Sequence, residues 1–172
     1  MTESSRTAAT GTSVRLGFLQ AKMAPNVFHP YGCGPDSLLE NWERISLWLS
    51  DIKYRPVALE QEIDGSLLAS TTTSFTITEA TLLNVFPHLC TSGNSGSERD
   101  GRSHLAAKLL GKRIVMRGTA HFAWDCVFGW VTHLVEEADL LTPMLRILGN
   151  LEDVSTVLNG SLGQPNFKCM LT

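Results

Sequence analysis

The chain has 172 residues, 43% hydrophobic and 18% charged, which suits one globular domain with a single substantial core. Its formal net charge of −3 leaves no basic excess, which excludes direct nucleic-acid binding through a Lys/Arg patch of its own. No apolar run approaches a membrane span, and four scattered cysteines (Cys33, Cys90, Cys126, Cys169), with no CxxC pair and no secretory signal, predict free thiols in an intracellular protein.

In chain order, MTESSRTAATGTS (residues 1–13) is polar and Ser/Thr-rich and predicts a disordered lead-in. Val14–Met23 carries apolar residues at 14, 16, 18, 19 and 23, a short amphipathic helix that Pro25 stops. Ala24–Tyr31, with two prolines, reads as an irregular link. Pro35 fits a first helical turn, and Asp36 and Glu40 complement the positive end of the dipole. The helix Ser37–Leu49 then shows an apolar stripe of Leu38, Trp42, Ile45 and Leu49.

Lys53–Glu60 and Ser66–Thr78 predict a hairpin turning at Asp64-Gly65, with positive φ at both turn residues. Pro56 marks the first strand as an edge. In the second, Leu67, Ala69, Phe75 and Ile77 share one face, while Ser70, Thr72, Ser74, Thr76 and Thr78 face solvent. Residues 79–111 form a helical insertion: Glu79–Leu89, with Leu82, Leu83 and Phe86 at helical spacing, stopping near Pro87; a Ser/Gly loop from Thr91 to Gly101; and a short helix His104–Leu110 between a Ser103 cap and Gly111.

Lys112–Leu148 organises the rest. Ile114, Met116, Gly118, Ala120, Phe122 and Trp124 are apolar or small, and alternate with mostly polar Arg113, Arg117, Thr119 and His121. Asp125–Gly129 turns the chain, Trp130–Val135 starts a return strand, and after Asp139 the residues Leu140, Leu141, Met144, Leu145 and Leu148 form a helical stripe ended by Gly149-Asn150. A last helical turn, Leu151–Leu158, precedes a flexible tail, residues 160–172. Helices come first and strands follow as meanders, an α+β pattern: a curved antiparallel sheet wrapped around the N-terminal helices, with room for a pocket.

That order resembles the NTF2-like (SnoaL-like, cystatin-related cone) superfamily, through the G-x-x-x-F-x-W-D turn (Gly118, Phe122, Trp124, Asp125) and a return strand ending E-x-D (Glu137, Asp139). The segments GPDSLLENW (34–42), LLASTTTSFTITEATLLNVFPHL (67–89), LAAKLLGKRIVMRG (105–118) and DLLTPMLRILGNLEDVSTVL (139–158) resemble the C-terminal domain of oomycete bZIP-like transcription factors. The resemblance spans about Val14 to Asn159 and implies one domain over 14–159. In that family a basic leucine zipper precedes the domain. Nothing before Val14 carries a basic run or leucine heptads, so the resemblance implies a regulatory or dimerising companion domain whose DNA contact is lost or supplied by another chain. It transfers no catalytic residues.

Cones of the superfamily also include isomerases, hydrolases and dehydratases, which place an acid, a Tyr or a His inside. The candidates here are His121, His133, Glu136, Glu137, Asp139 and Tyr54, of which His133, Glu137 and Asp139 are retained as catalytic candidates. Each has a plainer account. His121 lies outside if the apolar face is concave; His133 suits a hydrogen-bonded core or interface position. The three acids suit the positive end of the following helix. Arg113 and Arg117 suit a solvated face or a dimer salt bridge. No metal-ligand spacing, phosphate loop or cofactor motif is present. Trp42, Met116, Phe122, Trp124, Trp130 and Val131 are the pocket or interface residues, with Trp130 or Val131 as anchors between subunits. The reading that results is a non-catalytic nuclear or cytoplasmic domain. It pairs with itself or a related protein and contacts neither nucleic acid nor membrane. The alternative is a binder of a small apolar ligand, or a cofactor-free isomerase or hydrolase, using the cone interior.

Overall fold

A computed structural model describes residues 3–90 and 96–161, with side chains described over 13–90 and 103–161. The elements run α1 (Glu3–Lys22), β1 (Met23–His29), β2 (Gly32–Cys33), α2 (Pro35–Trp48), β3 (Ser50–Gln61), β4 (Leu67–Thr76), α3 (Glu79–Val85), α4 (Pro87–Cys90), α5 (Gly96–Leu109), β5 (Arg113–Asp125), β6 (Trp130–Ala138), α6 (Leu141–Leu148) and α7 (Leu151–Leu158). One six-stranded sheet has the order β2-β1-β6-β5-β4-β3. Its pairs are antiparallel except β1 with β6.

Several local signals act as their chemistry dictates. Pro35 opens α2 with Asp36 in its first turn. Gly149 ends α6 at φ 90°, its N–H bonded to the Leu145 carbonyl. Thr78 and Thr81 form a reciprocal capping box at the start of α3. On β5, Ile114, Met116 and Ala120 are buried while Arg113, Val115, Arg117 and Thr119 are exposed, so the even face is the concave one.

Other expectations change. Met23–His29 is a strand and not a link; Pro25 is tolerated because the pairing with β6 is irregular between Met23 and Phe28, where no ladder bond is asked of it. Helix α1 begins at Glu3 within the expected lead-in, since Ala8 and Ala9 favour helix and no proline intervenes before Pro25. Likewise α5 runs from Gly96, so Ser103 is interior and not a cap; the loop expected over Thr91–Gly101 lies outside the described residues up to Ser95. The helix from Glu79 does stop before Pro87, α3 ending at Val85, and what was not expected is the separate short α4 that Pro87 opens. At the β3–β4 turn Gly65 alone takes positive φ (89°), while Asp64 accepts the Ser66 N–H through its side chain at 2.9 Å. The expected flexible tail lies, beyond Ser161, outside the described residues.

Two hydrophobic clusters fill the concave side. One gathers Phe75, Ile77, Ile114 and Met116 under α3, α5, α6 and α7. The other gathers Ala69, Ala120, Leu134, Val27 and Leu38 under α1 and α2. Between them a row of small residues crosses the sheet: Thr71 pairs with Gly118 and Gly118 with Ala138. A Cβ at Gly118 would fall on the Glu137 carbonyl oxygen, so only glycine lets β5 and β6 approach this closely.

His29, 1% exposed, fastens the β1–β2 hairpin to α2. Its Nδ1 accepts the Tyr31 N–H at 3.3 Å, so the proton sits on Nε2, 3.2 Å from the Gly34 carbonyl and 3.0 Å from Ser37 Oγ. Burial holds the imidazole below its ordinary 6.5, so the folded state favours the neutral ring. The stability it lends is present above that value and lost as pH falls through and below it. His29→Gln removes the titration and should flatten the loss of stability on acidification below pH 6.5, measured by urea unfolding across pH. An equally steep loss in the variant contradicts this role.

Candidate functional site

The seam between the clusters opens into a cavity of about 560 Å³ between α2 and the concave face of the sheet. Helix α2 gives Leu39, Trp42, Glu43, Ile45 and Ser46; the sheet gives Ile52, Tyr54, Thr71, Thr73, Phe122, Leu134, Glu136 and Ala138; and Met23, Tyr31, Arg15, Thr119 and Glu137 complete the lining. The volume exists because the row Thr71–Gly118–Ala138 is too small to close it. Its size is that of a drug-sized ligand site.

One face of α2 meets the cavity because Leu39, Trp42, Glu43 and Ser46 follow the i, i+3, i+4, i+7 spacing. Strand β4 alternates Ala69, Thr71, Thr73 and Phe75 inward, so two hydroxyls face the seam. On β6, Glu136 shares the inward side with Leu134 and Ala138. Burial pushes the Glu136 carboxyl above its usual 4.5. Among the described residues it makes no hydrogen bond or ion pair that would hold the charge. The Tyr54 phenol is raised first by burial and then by the nearby Glu136 charge, against a lowering hydrogen bond to Thr71.

Of the residues singled out from sequence, Trp42, Phe122, Glu136, Glu137 and Tyr54 line the cavity. His133 is outside: it is exposed, its ring lies 5.9 Å from Phe28, and its Nδ1 is 3.2 Å from Thr132 Oγ1. Asp139 accepts the Thr142 N–H at 3.0 Å at the start of α6, and its hydrogen bonds from Thr142 lower its pKa. His121 pairs with Glu62 across the outer face at 2.7 Å. Arg113 likewise pairs with Asp51 at 2.5 Å.

The apolar candidates divide. Met116 and Val131 are buried core residues and not cavity walls. Trp130 stacks on Phe128 at 5.2 Å and packs on the second cluster. Trp124 is 38% exposed: a register shift between Ala123 and Trp124 breaks the alternation that would have carried it inward after Phe122. Sequence reasoning missed Arg15, Tyr31, Glu43, Thr71 and Thr73. For Glu43 and the threonines the helical and strand periods were the available signal; Arg15 and Tyr31 carried none.

Structural comparison finds TsrD from Streptomyces laurentii, with TM-score 0.50 and 18% identity over 88% of this chain and 99% of that one. It also finds a SnoaL-like polyketide cyclase from Agrobacterium tumefaciens strain C58, with TM-score 0.51 and 13% identity over 78% of this chain and 85% of that one. The fold is NTF2-like. At such identities the likeness is one of fold alone. In sequence, the family described as "BZIP transcription factor 1 C-terminal domain" matches residues 1–48, which span α1 through α2. Of the four resembling segments, only Gly34–Trp42 falls inside that match. No curated protein matches.

Because Glu136 titrates above its ordinary value when folded, its charged form opposes folding at neutral pH and stops doing so below about 4.5. Glu136→Gln should therefore raise stability at pH 7 by about 1 kcal/mol, with the gain vanishing under acidic conditions. Thermal unfolding at both pH values checks it, and a destabilised variant at pH 7 would show that the carboxylate is compensated.

Proposed function

We propose that the chain is a regulatory domain whose cone binds a small, mostly apolar ligand. The observation that carries this is the cavity itself: the cone is not filled by Phe122 and its leucines, and polar groups converge inside it. A domain selected only for stability would close such a seam, since the open cleft leaves apolar wall in water that closure would bury. An acid without a protein partner among the described residues and two inward threonines, set around a ligand-sized space, support a molecule that meets them. The family match over residues 1–48 supports the regulatory part, with the ligand acting as the input.

A second surface supports self-association or pairing with a related chain. Phe28, Val115 and Val135 are 56%, 52% and 39% exposed on the convex side. Arg117 and His133 accompany them. In this reading, ligand in the cone and a partner on the outer face meet across one sheet. Use of the cavity by a cofactor-free isomerase or hydrolase would have to recruit Glu136 and Tyr54, the acid and phenol that the cavity brings together.

The cavity reading is tested with N-phenylnaphthylamine, a neutral apolar fluorophore, followed by its emission and by the thermal shift of the protein. Binding with stabilisation is expected in the natural chain. Ala138→Leu, which extends a side chain into the seam, should keep or raise stability and abolish the binding. No binding by the folded natural chain, or undiminished binding by the variant, overturns the reading.

A further inference from the structure

The cavity's chemistry narrows the class of ligand, an inference that rests on the cavity being a binding site. Four aromatic side chains line it, Tyr31, Trp42, Tyr54 and Phe122, drawn from four separate parts of the chain. Its part-buried charged groups are two carboxylates, Glu43 and Glu136, while Glu137, paired with Thr119 on the exposed face, and the guanidinium of exposed Arg15 reach only its rim. On β6 Glu136 stands on the inward side between Leu134, which is 2% exposed, and Ala138, which packs against the other cluster. No described residue donates a hydrogen bond to it.

Glu136 is half-buried at a cavity open to solvent, so a ligand that displaces water from its carboxylate has to supply the donor, since no described residue does. An anionic ligand would add a second desolvated negative charge beside it. A neutral hydroxyl satisfies one lone pair and leaves the charge. An ammonium group satisfies both, and aromatic faces around an apolar body favour a cation in the same space. We infer that the cone selects an aryl or alkyl amine: an apolar body held by Trp42, Phe122 and Tyr31, with its ammonium paired to Glu136 beside Tyr54. The amine proton need not move; the pairing is an ion pair formed in a mostly apolar setting, with Thr71 and Thr73 as further hydroxyl partners.

The test uses three matched probes, naphthylethylamine, naphthylethanol and naphthylacetate, titrated into the full chain by calorimetry at neutral pH. The amine should bind about tenfold or more tighter than the alcohol, with the acetate weakest. Glu136→Gln should erase the preference for the amine, the amine losing about tenfold or more in affinity and the alcohol distinctly less. As an independent readout on the natural chain, the amine preference should fall as pH is lowered and Glu136 protonates. Tyr54, Glu43, Glu137, Arg15 and Tyr31 are the other titratable groups around the cavity, so the Glu136→Gln chain provides the baseline for their contribution. Alcohol binding as tight as amine binding, or an amine preference that survives in Glu136→Gln, overturns the inference and leaves the cavity as a site. Failure of all three probes to bind overturns the inference and the cavity reading together.

Discussion

A row of three small side chains across the middle of the sheet governs this molecule. Thr71, Gly118 and Ala138 lie side by side on adjacent strands, where Phe75, Ile114 and Met116 fill the concave face at one end and Ala69, Ala120 and Leu134 fill it at the other. Side chains of ordinary core size along that row would fuse the two clusters into one. With the row small, α2 spans the gap without reaching the sheet, and the space beneath it remains. Gly118 does two things at once: it withholds volume, and it allows the close approach of β5 to the Glu137–Ala138 backbone of β6.

The consequence is electrostatic as much as steric. Glu136 stands next to that row on β6, facing a space instead of a partner, and burial without compensation lifts its pKa. Other carboxylates of this chain are satisfied: Asp51 by Arg113 and by the Thr76 N–H, Asp64 by Ser66, Asp139 by Thr142. All three are lowered where Glu136 is raised. The contrast separates an acid set to stabilise a turn or an edge from one kept at a cost, and such costs gather where a protein binds something.

Much of the frame was legible in the residues. Alternation along Ile114–Phe122 gave the concave face of β5, and the leucine stripe gave α6, because each period is long and bounded by clear turn or cap residues. Strand β1 was hidden since Pro25 lies within it and Pro30 follows it, and its pairing with β6 is parallel and irregular. The start of α5 was hidden by glycines and serines that read as loop. The site was only partly legible. Glu136 sits in an acidic run, Glu136-Glu137-Asp139, whose obvious account is the positive end of the next helix, and for Asp139 that account holds. Strand Trp130–Val135 is apolar on both faces, so its sequence does not say that position 136 points inward; the pairing of Ala120 with Glu136 does. The partition into two clusters depends on contacts between residues far apart in sequence, which no local period encodes.

Glu136 is a half-buried acid within the cone with no protein donor among the described residues, and a direct titration of its carboxyl carbon by NMR measures that state. The expected midpoint lies above 4.5 in the ligand-free chain and moves downward when naphthylethylamine is bound. A midpoint at or below 4.5, unchanged by the amine, would mean that water or a protein donor already satisfies the carboxylate, and the central claim would be contradicted.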